Sequence, residues 1–550
     1  MRKKTTHQGL TVQAIAGTYV VLLGFNMKQA DCDGLMGFAI HRTDHTEDEA
    51  YWLEGQKTFA ETDPGFPLGA KYSTRQHPIQ GFTWSDFSAK PGHDYTYRVL
   101  ALKGKPRDLQ PFAEVSVRIQ TEAPDGGTHD IYFNRGAAAS QEYARRFGNR
   151  KPEDVGNAAF AWLSRGLYES MLDFIAQATG PEFELRVCAY EFHYLPVLGA
   201  LRAARQHGVK VQIIYDRRKD NPGEKNDRAV ETARIKSLCI RRMTNVSAIS
   251  HNKFIVLLKN GEAQAVLTGG TNFSEGGIFG HSNAVHIVQE PLVAKAYLRY
   301  WELLSDDPKS SDLRPILIAE FQLPDDKPPV GTGTIFSPRD SLDALKWYAS
   351  LAASAKDGLF MTFAFGIHPG FQDVYRTSQT GIRYALLEQP TRPMKKGPER
   401  DAEEAKIRAL RAMPENRFAI GAHLTLNKFD RWVNEKTSGL NNNVQYVHTK
   451  YMLIDPLGAD PIIVAGSANF SAASTDENDE NMLIIRGNKR VAEMYLGEFM
   501  RLYNHYAFRE WASQQPPNSS ATPSHLRTDQ WWTEYFGNTE RSRQREYFAG

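Results

Sequence analysis

One pattern of polar residues occurs twice in this 550-residue chain. The first copy is His251-Asn252-Lys253, followed downstream by Thr271-Asn272-Phe273-Ser274, and the second is His448-Thr449-Lys450, followed by Ala468-Asn469-Phe470-Ser471. The two histidines are 197 residues apart, and so are the two asparagines. A histidine, a lysine and an asparagine that recur at one offset indicate a duplicated unit, whose two copies would share a site that binds and attacks phosphate.

Length and composition indicate a large globular protein with several units. At roughly 100–200 residues per domain, the length of the chain suggests three units. Apolar residues make up 41% and charged residues 24%, which is typical of a soluble globular protein. The formal net charge is only +2, so any attraction for a polyanion must come from local patches.

Cysteine usage and the N-terminus favour a reducing, cytoplasmic setting. The three cysteines, Cys32, Cys188 and Cys239, are widely spaced and odd in number, which fits neither a disulfide framework nor a zinc site. A basic start precedes an apolar stretch at residues 14–25, but polar residues and a glycine interrupt it. We therefore expect strands there rather than a secretory signal. No stretch reaches the roughly 18 apolar residues of a membrane helix.

Residues 1–125 are expected to form an all-β sandwich. Apolar side chains alternate with others along residues 36–40, 95–99 and 115–119, and a period of two is typical of strands. The segment Tyr95-Thr96-Tyr97-Arg98-Val99 resembles the penultimate strand of fibronectin type III modules. Nothing catalytic is visible in this region, so we expect an accessory unit that packs on the rest of the chain or binds a protein partner.

From about residue 127 helical segments alternate with apolar extended ones, which predicts α/β layers. A helix over residues 157–177 opens the series, and a similar order of elements returns later in the chain. The prediction is two α/β halves, residues 126–325 and 326–510, followed by a C-terminal tail at residues 511–550.

Two segments lie outside the repeat. Ile214 and Leu386 are 172 residues apart rather than 197, which indicates an insertion of 25 residues before His448, and residues 389–417 are the expected place for it. The tail contains Trp531-Trp532 and later three arginines. We expect this tail either to contact single-stranded nucleic acid or lipid, or to dock on the core.

The second copy of the repeat has an apolar context. Strand alternation puts His448 and Lys450 on one face, and such side chains on a buried strand are costly unless they line a polar cleft. Asp455 lies seven residues after His448, and Gly466-Ser467-Ala468-Asn469 and Asn478-Asp479-Glu480-Asn481 follow. Two copies of this kind resemble the phospholipase D superfamily, whose repeated motif is His-x-Lys-x4-Asp followed by Gly-Ser-x-Asn.

The resemblance covers residues from about 130 to 510 and implies two similar halves packed face to face around one pocket. One imidazole would be neutral and attack phosphorus, and the other would be protonated and donate a proton to the leaving oxygen. The resemblance puts four donors around the phosphoryl oxygens, namely Lys253, Lys450, Asn272 and Asn469. It implies a covalent phosphohistidine, and neither a metal ion nor another cofactor.

The two copies differ in their acidic residues. Asp455 and Glu480 are both in the second half, where they are expected to orient the ring of His448. Asp455 could instead cap a turn. The matching positions in the first half are Leu258 and, approximately, Ser282. Loss of the motif aspartate also occurs in the tyrosyl-DNA phosphodiesterase branch of the superfamily, so Leu258 does not by itself imply inactivity.

The orientation of the first imidazole, that of His251, stays open at this point. Glu191, at the end of the leading strand of the first half, is the candidate. Ser467 either binds substrate or is an ordinary turn hydroxyl, and His281 and His286 are expected to be structural or surface residues. Family precedent favours His251 as the nucleophile, whereas the acidic residues favour the second histidine, so the nucleophile is not assigned.

The resemblance predicts the reaction more closely than the substrate. Residues 202–242 hold twelve lysines or arginines against five acidic residues. Four arginines of this segment are expected to bind a nucleic-acid backbone or else to lie on a solvated helical face, namely Arg217, Arg218, Arg241 and Arg242. Nucleic acid is the expected substrate. The alternatives are a phospholipase D acting on lipid headgroups, since anionic membranes attract the same patches, and a phosphate-binding protein without turnover.

Overall fold

The computed structural model describes residues 1–63, 65, 70–136, 141–392, 394–421, 446–513 and 525–550. Its larger sheets are two of four strands, which lie in the N-terminal part, and two of seven strands. Four buried clusters account for most of the core, and the largest lies between the two seven-stranded sheets.

The N-terminal part is built from β-strands. They are β1 (Arg2–His7), β2 (Leu10–Ala16), β3 (Val21–Asn26), β4 (Leu35–Asp44), β5 (Glu49–Trp52), β6 (Glu54–Gly55), β7 (Tyr72–Ser73), β8 (Thr83–Asp86), β9 (Asp94–Lys105) and β10 (Asp108–Gln120). The sheet orders are β1-β2-β3-β8 and β10-β9-β4-β5, with β6 and β7 as a separate pair. In β9 the alternate residues Tyr95, Tyr97 and Val99 are buried in a core that both four-stranded sheets share. The likeness to fibronectin type III modules stays a prediction.

The first half of the repeat alternates strands and helices. Its elements are β11 (His129–Phe133), α1 (Gln141–Phe147), α2 (Pro152–Val155), α3 (Asn157–Ser164), α4 (Leu167–Ala176), β12 (Phe183–Ala189), α5 (Leu195–Gln206), β13 (Lys210–Asp216), α6 (Asp220–Thr232), β14 (Cys239–Arg242), β15 (Lys253–Lys259), β16 (Glu262–Gly269), β17 (Ala284–Val288), α7 (Pro291–Ser305) and α8 (Ser310–Glu320). The sheet order is β11-β17-β16-β15-β12-β13-β14. Strands β12, β13 and β14 are parallel, and the others pair antiparallel.

The second half repeats this arrangement. Its elements are β18 (Gly331–Ser337), α9 (Asp343–Ala353), β19 (Gly358–Phe363), α10 (Pro369–Thr377), β20 (Ile382–Leu387), α11 (Pro398–Arg411), β21 (Asn416–Ile420), β22 (Tyr451–Ile454), β23 (Ile462–Gly466), α12 (Ala472–Asp476), β24 (Glu480–Arg486) and α13 (Lys489–Ser513). The order β18-β24-β23-β22-β19-β20-β21 matches the first sheet strand for strand. The prediction of two similar α/β halves is confirmed.

Apolar side chains join the halves through one core. Residues of β15 and β16 in the first half and of β22 and β23 in the second belong to the same buried cluster. Helices α7 and α13 contribute to it with Tyr297, Tyr300 and Tyr495, all of which are fully or almost fully buried. Because the central strands of both sheets face this core, the segments that lead into β15 and β22 are brought to the boundary between the halves.

Two local predictions need correction. The helix expected over residues 157–177 is observed as α3 and α4, because Arg165 and Gly166 take left-handed conformations with φ of 51° and 89° and interrupt the helical turns. The insertion was expected at residues 389–417, but this stretch holds α11, the counterpart of α6 between matching strands. Most of the extra length instead lies between β21 and His448, where residues 421–447 correspond to residues 243–250 of the first half. Residues 422–445 lie outside the described part of the chain.

The described end of the tail docks on the protein. Helix α14 (Glu540–Ala549) packs against β3 and β20, and Trp531 and Trp532 belong to the N-terminal core. The indole nitrogen of Trp531 donates to the carbonyl of Leu35 at 2.8 Å. Of the two expectations for the tail, docking on the core is the one observed. Among the residues described, no helix is both long and apolar enough to cross a membrane.

Candidate active site

The two His-x-Lys segments are joined across the boundary between the halves. The backbone nitrogen of His251 donates to the carbonyl of Asp479 at 2.9 Å, and that of Asp479 donates to Ile249 at 3.0 Å. On the other side, the nitrogen of Ser282 donates to the carbonyl of Tyr446 at 2.9 Å. Each motif strand therefore pairs, just before its histidine, with the segment that precedes the last sheet strand of the other half. This places each imidazole beside side chains of the opposite half.

The ring of His251 is held by Glu480. Its Nδ1 lies 3.0 Å from Oε1 and 2.9 Å from Oε2 of that carboxylate, and both side chains are buried. Ser467 also donates its hydroxyl to Oε2 of Glu480, at 2.7 Å. Since a carboxylate accepts hydrogen bonds, the proton of the neutral ring resides on Nδ1, and Nε2 carries the free lone pair.

Asn283 holds the ring of His448 in the matching way. Its Oδ1 lies 3.0 Å from Nδ1 of His448, and its Nδ2 donates to the carbonyl of Gly277 at 2.7 Å. The ring of His281 stacks on that of His448 with centroids 4.3 Å apart, and its Nδ1 contacts Asn283 at 3.0 Å. Asn283 and Glu480 are separated by the same 197 residues as the two histidines.

These contacts correct the predictions for orienting groups. Glu480 was expected to orient the histidine of its own half, but the pairing of the segments across the boundary aims it at His251. Its counterpart is Asn283 rather than Ser282. The candidate Glu191 accepts a hydrogen bond from Ser274 at 2.5 Å and does not hold the imidazole of His251.

The two lysines are buried, and each hydrogen-bonds the backbone of its own His-x-Lys motif. Lys253 donates to the carbonyl of His251, and Lys450 donates to that of His448 at 2.6 Å. An ammonium group has three donors, so each lysine retains hydrogen atoms for a ligand. The ring of Tyr190 lies 5.2 Å from Nζ of Lys253, and its edge meets the ring of His251 with centroids 5.0 Å apart.

Burial dominates the electrostatics of the site. It lowers the pKa of His251 to about 4 and that of Lys253 to about 7, and it lowers the pKa values of His448 and Lys450 well below their usual range. For Glu480 burial raises the pKa, but His251 and Lys253 outweigh this effect and the net pKa is lowered. In the described part of the chain, Glu480 is the only carboxylate hydrogen-bonded to any of these four basic groups. The site is therefore deficient in negative charge.

An asparagine follows the neighbouring strand in each half. Asn272 comes after β16 and Asn469 after β23, and each has a buried Oδ1 without a hydrogen-bond partner in the described structure. The two ends of a carboxamide are assigned from their surroundings, and a half-turn of the group would expose the NH2 donors instead. An oxyanion bound near the lysines would satisfy such donors, and buried polar atoms of this kind normally have a partner.

Asp455 lies away from this site. Its carboxylate accepts backbone N–H groups of Lys356, Asp357 and Gly358 at 2.7–3.0 Å and so fixes the start of β19. The prediction that it orients His448 is wrong, because seven residues of extended chain cover about 23 Å. The matching residue Leu258 is buried in the core. The turn-capping alternative comes closest to what is observed.

Ser467 and two of the four arginines are buried and contact the segment that carries Glu480. Ser467 is fully buried and donates to Glu480, so the prediction that it binds substrate is wrong. The side chains of Arg218 and Arg242 are 0% exposed, and each lies 3.0 Å from the carboxylate of Asp479. A buried guanidinium needs such a partner, so these arginines hold the segment that carries Glu480 and do not face a nucleic-acid backbone.

The other two arginines lie nearer the surface. Arg217 and Arg241 contact the carboxylate of Asp227 at 2.9 and 3.1 Å, and Arg217 also lies 3.3 Å from Asp220. The side chain of Arg241 is 41% exposed. Their charge is shared with acidic partners, which weakens the predicted contact with a polyanion. Sequence reasoning missed Asn283 and Tyr190, although the offset of 197 residues from Glu480 points to Asn283.

Metal-ligating side chains do not gather here. Within the described residues, the one cluster of suitable ligand atoms is Asp44, Glu47 and His93 in the N-terminal part. Its members already have partners, since Asp44 accepts from His93 at 2.8 Å and from the backbone of Thr46 at 2.9 Å. What the candidate active site offers is two imidazoles with free Nε2 atoms, two ammonium groups and two carboxamides.

This fold and this arrangement define a class of phosphodiesterases with a doubled histidine–lysine site. A family model described as the PLD-like domain of cardiolipin synthase matches residues 171–304 and 351–503, just over half of the chain. The chain therefore belongs to the phospholipase D superfamily, whose members are phosphodiesterases. A search of curated protein sequences gives no match.

Solved structures of similar fold include proteins with different reactions. Phosphatidylserine synthase from Haemophilus influenzae Rd KW20 is 12% identical, with 68% of this chain and 86% of that chain covered and a TM-score of 0.44. Yeast tyrosyl-DNA phosphodiesterase is 14% identical, with 59% and 88% covered and a TM-score of 0.33. Polyphosphate kinase from Porphyromonas gingivalis is 14% identical, with 58% of this chain and 46% of that chain covered and a TM-score of 0.36. The chain therefore spans about half the length of that enzyme. Likenesses this distant do not bear on the substrate.

Proposed function

We propose that this protein cleaves a phosphodiester through a covalent phosphohistidine without a metal ion, and that its substrate is the backbone of a nucleic acid. The observation that carries the proposal is the pair of imidazoles, each fixed through Nδ1 by a residue of the opposite half. A protein that only binds phosphate needs cations and amides, but it does not need two rings with their Nε2 atoms kept free.

His251 is the better nucleophile of the two. Attack by its Nε2 on phosphorus forms an N–P bond and leaves a positive charge on the ring, which the carboxylate of Glu480 compensates. The neutral amide of Asn283 gives no such compensation to His448, so a protonated His448 releases its proton more readily. His448 therefore donates its Nε2 proton to the leaving oxygen as the P–O bond breaks.

The second step regenerates the enzyme. His448 takes a proton from a water molecule, the water oxygen attacks phosphorus, and the bond to His251 breaks. Lys253 and Lys450, with the carboxamides of Asn272 and Asn469, balance the charge on the phosphoryl oxygens in both steps. The lowered pKa values of the two lysines support this role, because an anionic phosphodiester between them would restore their protonated form.

Two exposed lysines favour nucleic acid over lipid. Strands β12 and β13 are parallel, so the residues that follow them meet at one edge of the sheet. Tyr190, which contacts His251, follows β12, and the exposed Lys219 and Lys225 follow β13. Positive charges at the sheet edge that carries Tyr190 suit the repeated phosphates of a nucleic acid. The cytoplasmic location and a protein partner for the N-terminal unit remain predictions.

The proposal is tested by turnover in EDTA with plasmid DNA, single-stranded DNA, RNA, and vesicles of phosphatidylcholine or phosphatidylglycerol. The wild type and the control variant His207→Ala, which changes an exposed histidine, should cleave a nucleic acid, and His251→Ala and His448→Ala should not. Turnover of the vesicles alone would identify a phospholipase. Absence of turnover with every substrate would favour a phosphate-binding protein. Loss of cleavage in EDTA would exclude the metal-independent mechanism.

The assignment of the nucleophile has its own test. Bis(p-nitrophenyl) phosphate has leaving groups that need no proton, so His448→Ala should still form the phosphoenzyme with it and should fail to hydrolyse it. His251→Ala should form none. Acid quenching followed by mass spectrometry would locate the phosphoryl group, and its presence on residue 448 of the His251→Ala protein would reverse the assignment.

A further inference from the structure

A small cavity lies behind the candidate active site, between the two seven-stranded sheets. Residues of both halves line it, among them Gly270, Ala284, His286, Lys450, Ala465 and Tyr495. Thr449 and Tyr451 also line it, and among the described residues the buried hydroxyl groups of both have no hydrogen-bond partner of good geometry. Buried polar atoms beside a cavity of this kind are normally satisfied by water.

The repeat explains why the cavity exists. At the matching place in the other half, Asn481 accepts hydrogen bonds from Thr268 at 2.6 Å and Tyr297 at 2.9 Å and donates to Asn252 at 2.7 Å. At an offset of 197 residues, Asn481 corresponds to Ala284 and Thr268 to Ala465. The carboxamide and hydroxyl that fill one side are thus replaced by methyl groups on the other, and the vacated volume is the cavity.

The cavity reaches the group that holds His448. Gly270 corresponds to Ser467, whose hydroxyl donates to Glu480. A β-carbon placed on Gly270 would lie 3.1 Å from Oδ1 of Asn283. Water in the place of that missing hydroxyl would therefore hydrogen-bond Asn283, as Ser467 hydrogen-bonds Glu480.

A chain of hydrogen bonds leads from the cavity to the surface. The hydroxyl of Tyr495 lies 3.1 Å from Nδ1 of His286, and Nε2 of His286 lies 2.9 Å from Nδ1 of His129. Nε2 of His129 lies 3.4 Å from Oε1 of Glu290 and 3.2 Å from the hydroxyl of Thr332, which itself donates to Glu290 at 2.7 Å. Glu290 is 32% exposed. All four ring nitrogens of the two histidines thus have a partner in one continuous line.

We propose that water in this cavity, together with Tyr495, His286 and His129, carries protons from the active site to Glu290 at the surface. This inference rests on the proposed phosphodiesterase function. The phosphomonoester gives its proton to the amine of Lys450, which lines the cavity, and the ammonium group of Lys450 gives one to the water. Each further link passes one proton on: water to Tyr495, Tyr495 to Nδ1 of His286, Nε2 of His286 to Nδ1 of His129, and Nε2 of His129 to Glu290. One proton enters the line and one leaves it, so no group in it is consumed.

The reaction produces a proton that must leave the site. A phosphodiester carries one negative charge, whereas a phosphomonoester has a second pKa of about 6 and is dianionic above that pH. Hydrolysis near pH 8 therefore releases one proton per turnover inside a site whose histidines and lysines are buried. Burial lowers the pKa of His129, although Glu290 raises it, and burial together with His129 lowers the pKa of His286. Arg490, which donates to the carbonyl of His129 at 2.9 Å, lowers both pKa values further. The rings are neutral at rest and pass a proton on without retaining it.

Three substitutions interrupt the line at different points. His286→Leu introduces the residue that the second half has at the matching position, Leu483. Tyr495→Phe removes one hydroxyl, and Ala465→Thr fills the cavity with the side chain that the first half has there. The control is Tyr506→Phe, a change to another fully buried tyrosine of α13 that is not part of the line. Circular dichroism melting curves identify any variant that fails to fold.

The experiment is stopped-flow turnover of bis(p-nitrophenyl) phosphate at pH 8 in H2O and D2O. Formation of the phosphoenzyme gives a burst of p-nitrophenolate, and proton exit belongs to the steady state after the burst. We expect the burst rate to stay within twofold in all variants, and the steady-state rate to fall at least tenfold in the three line variants but not in Tyr506→Phe. The wild type should show a solvent isotope effect on the steady state.

Other outcomes overturn one proposal or both. Burst and steady state falling together would make these residues positioning groups, and an unchanged steady state would show that protons leave by another route. A wild type without a burst would mean that proton exit does not limit turnover, which also overturns the proton line. Absence of turnover in the wild type would overturn the proposed function and the proton line together.

Discussion

Nδ1 of His251 lies 2.9 Å from the carboxylate of Glu480, although the two residues belong to different halves of the repeat. His448 is fixed from the opposite direction by Asn283 at 3.0 Å. The geometry is the same on both sides, and the charge is not. A carboxylate faces one ring and a neutral amide the other, so two identical side chains acquire different acid–base properties.

Glu480→Gln should lower kcat by about 10²–10⁴-fold. Glutamine keeps the size of the side chain but removes the charge that stabilises a positively charged His251. The measurement is single-turnover formation of the phosphoenzyme, which should slow by a larger factor than kcat, because a later step limits turnover of the wild type. Glu477→Gln, a change to an exposed acid three residues away, is the matched control and should behave as the wild type. An unchanged rate in Glu480→Gln would contradict the role of the carboxylate.

The acid limb of kcat/KM should have its midpoint near pH 4 rather than 6.5, because burial lowers the pKa of His251 to about 4 and the neutral ring is the nucleophile. Glu480 raises this pKa against the effect of burial, so Glu480→Gln should move the limb to still lower pH. The measurement is a pH profile of bis(p-nitrophenyl) phosphate hydrolysis. A midpoint near 6.5, or a shift to higher pH in the variant, would be inconsistent with this assignment.

Asn283→Asp should move the alkaline limb of kcat/KM to higher pH by about one unit or more. A carboxylate at 3.0 Å from Nδ1 favours the protonated form of His448, whose pKa is otherwise held well below its usual range by burial. The measurement is a pH series with a nucleic-acid substrate, whose leaving oxygen needs a proton. Asn283→Ala, run beside it, separates the effect of charge from loss of the contact. Equal profiles for the two variants would exclude a proton-donating role for His448.

Asp455→Asn should destabilise the fold by about 1–2 kcal/mol and leave kcat unchanged. The carboxylate accepts three backbone N–H groups at the start of β19, and bonds to a charged acceptor are stronger than those to an amide. Urea unfolding and turnover of the same preparation provide both values. Asp357→Asn, a change to an exposed neighbour, serves as the control. A loss of activity without a loss of stability would show that Asp455 has a catalytic role.

Lys450→Met should abolish turnover and raise the free energy of unfolding by about 0.5–2 kcal/mol. Burial lowers the pKa of Lys450 well below its usual range, so at neutral pH the fold bears the cost of an ammonium or amine in an apolar setting, which methionine avoids. The measurement is thermal unfolding of the wild type and of Lys450→Met. The control is Lys356→Met, a change to an exposed lysine. A destabilised Lys450→Met protein would mean that its bond to His448 outweighs desolvation.

The repeat allowed much of the architecture to be predicted. His251 and Asn272 are each 197 residues from their second copies, which predicts two similar halves. The alternation of apolar residues at 95–99 predicts strands in the N-terminal part. Asp455 was misassigned because spacing along a motif does not reveal that a strand carries the residue away from the site. The exact 197-residue match between Asn283 and Glu480 was available in the sequence and was missed by one position.

Contacts across the boundary could not be predicted from the chain. Periodicity defines which face of a strand is buried, but not which loop of the other half meets it, so Glu480 was paired with the wrong histidine. Counting charges likewise does not measure burial. Arg218 and Arg242 belong to the basic segment 202–242, yet the side chains of both are fully buried beside Asp479.

The exchange of ring-holding residues between the halves makes the duplication indivisible. A polypeptide that ends after α8 retains His251 but lacks Glu480, and one that begins at β18 retains His448 but lacks Asn283. Each fragment would carry a histidine free to rotate, and only reassembly of the two would restore both. A substitution of a ring-holding residue in one half therefore disturbs the histidine of the other half. Neither half can lose this residue while the other half keeps a fixed histidine.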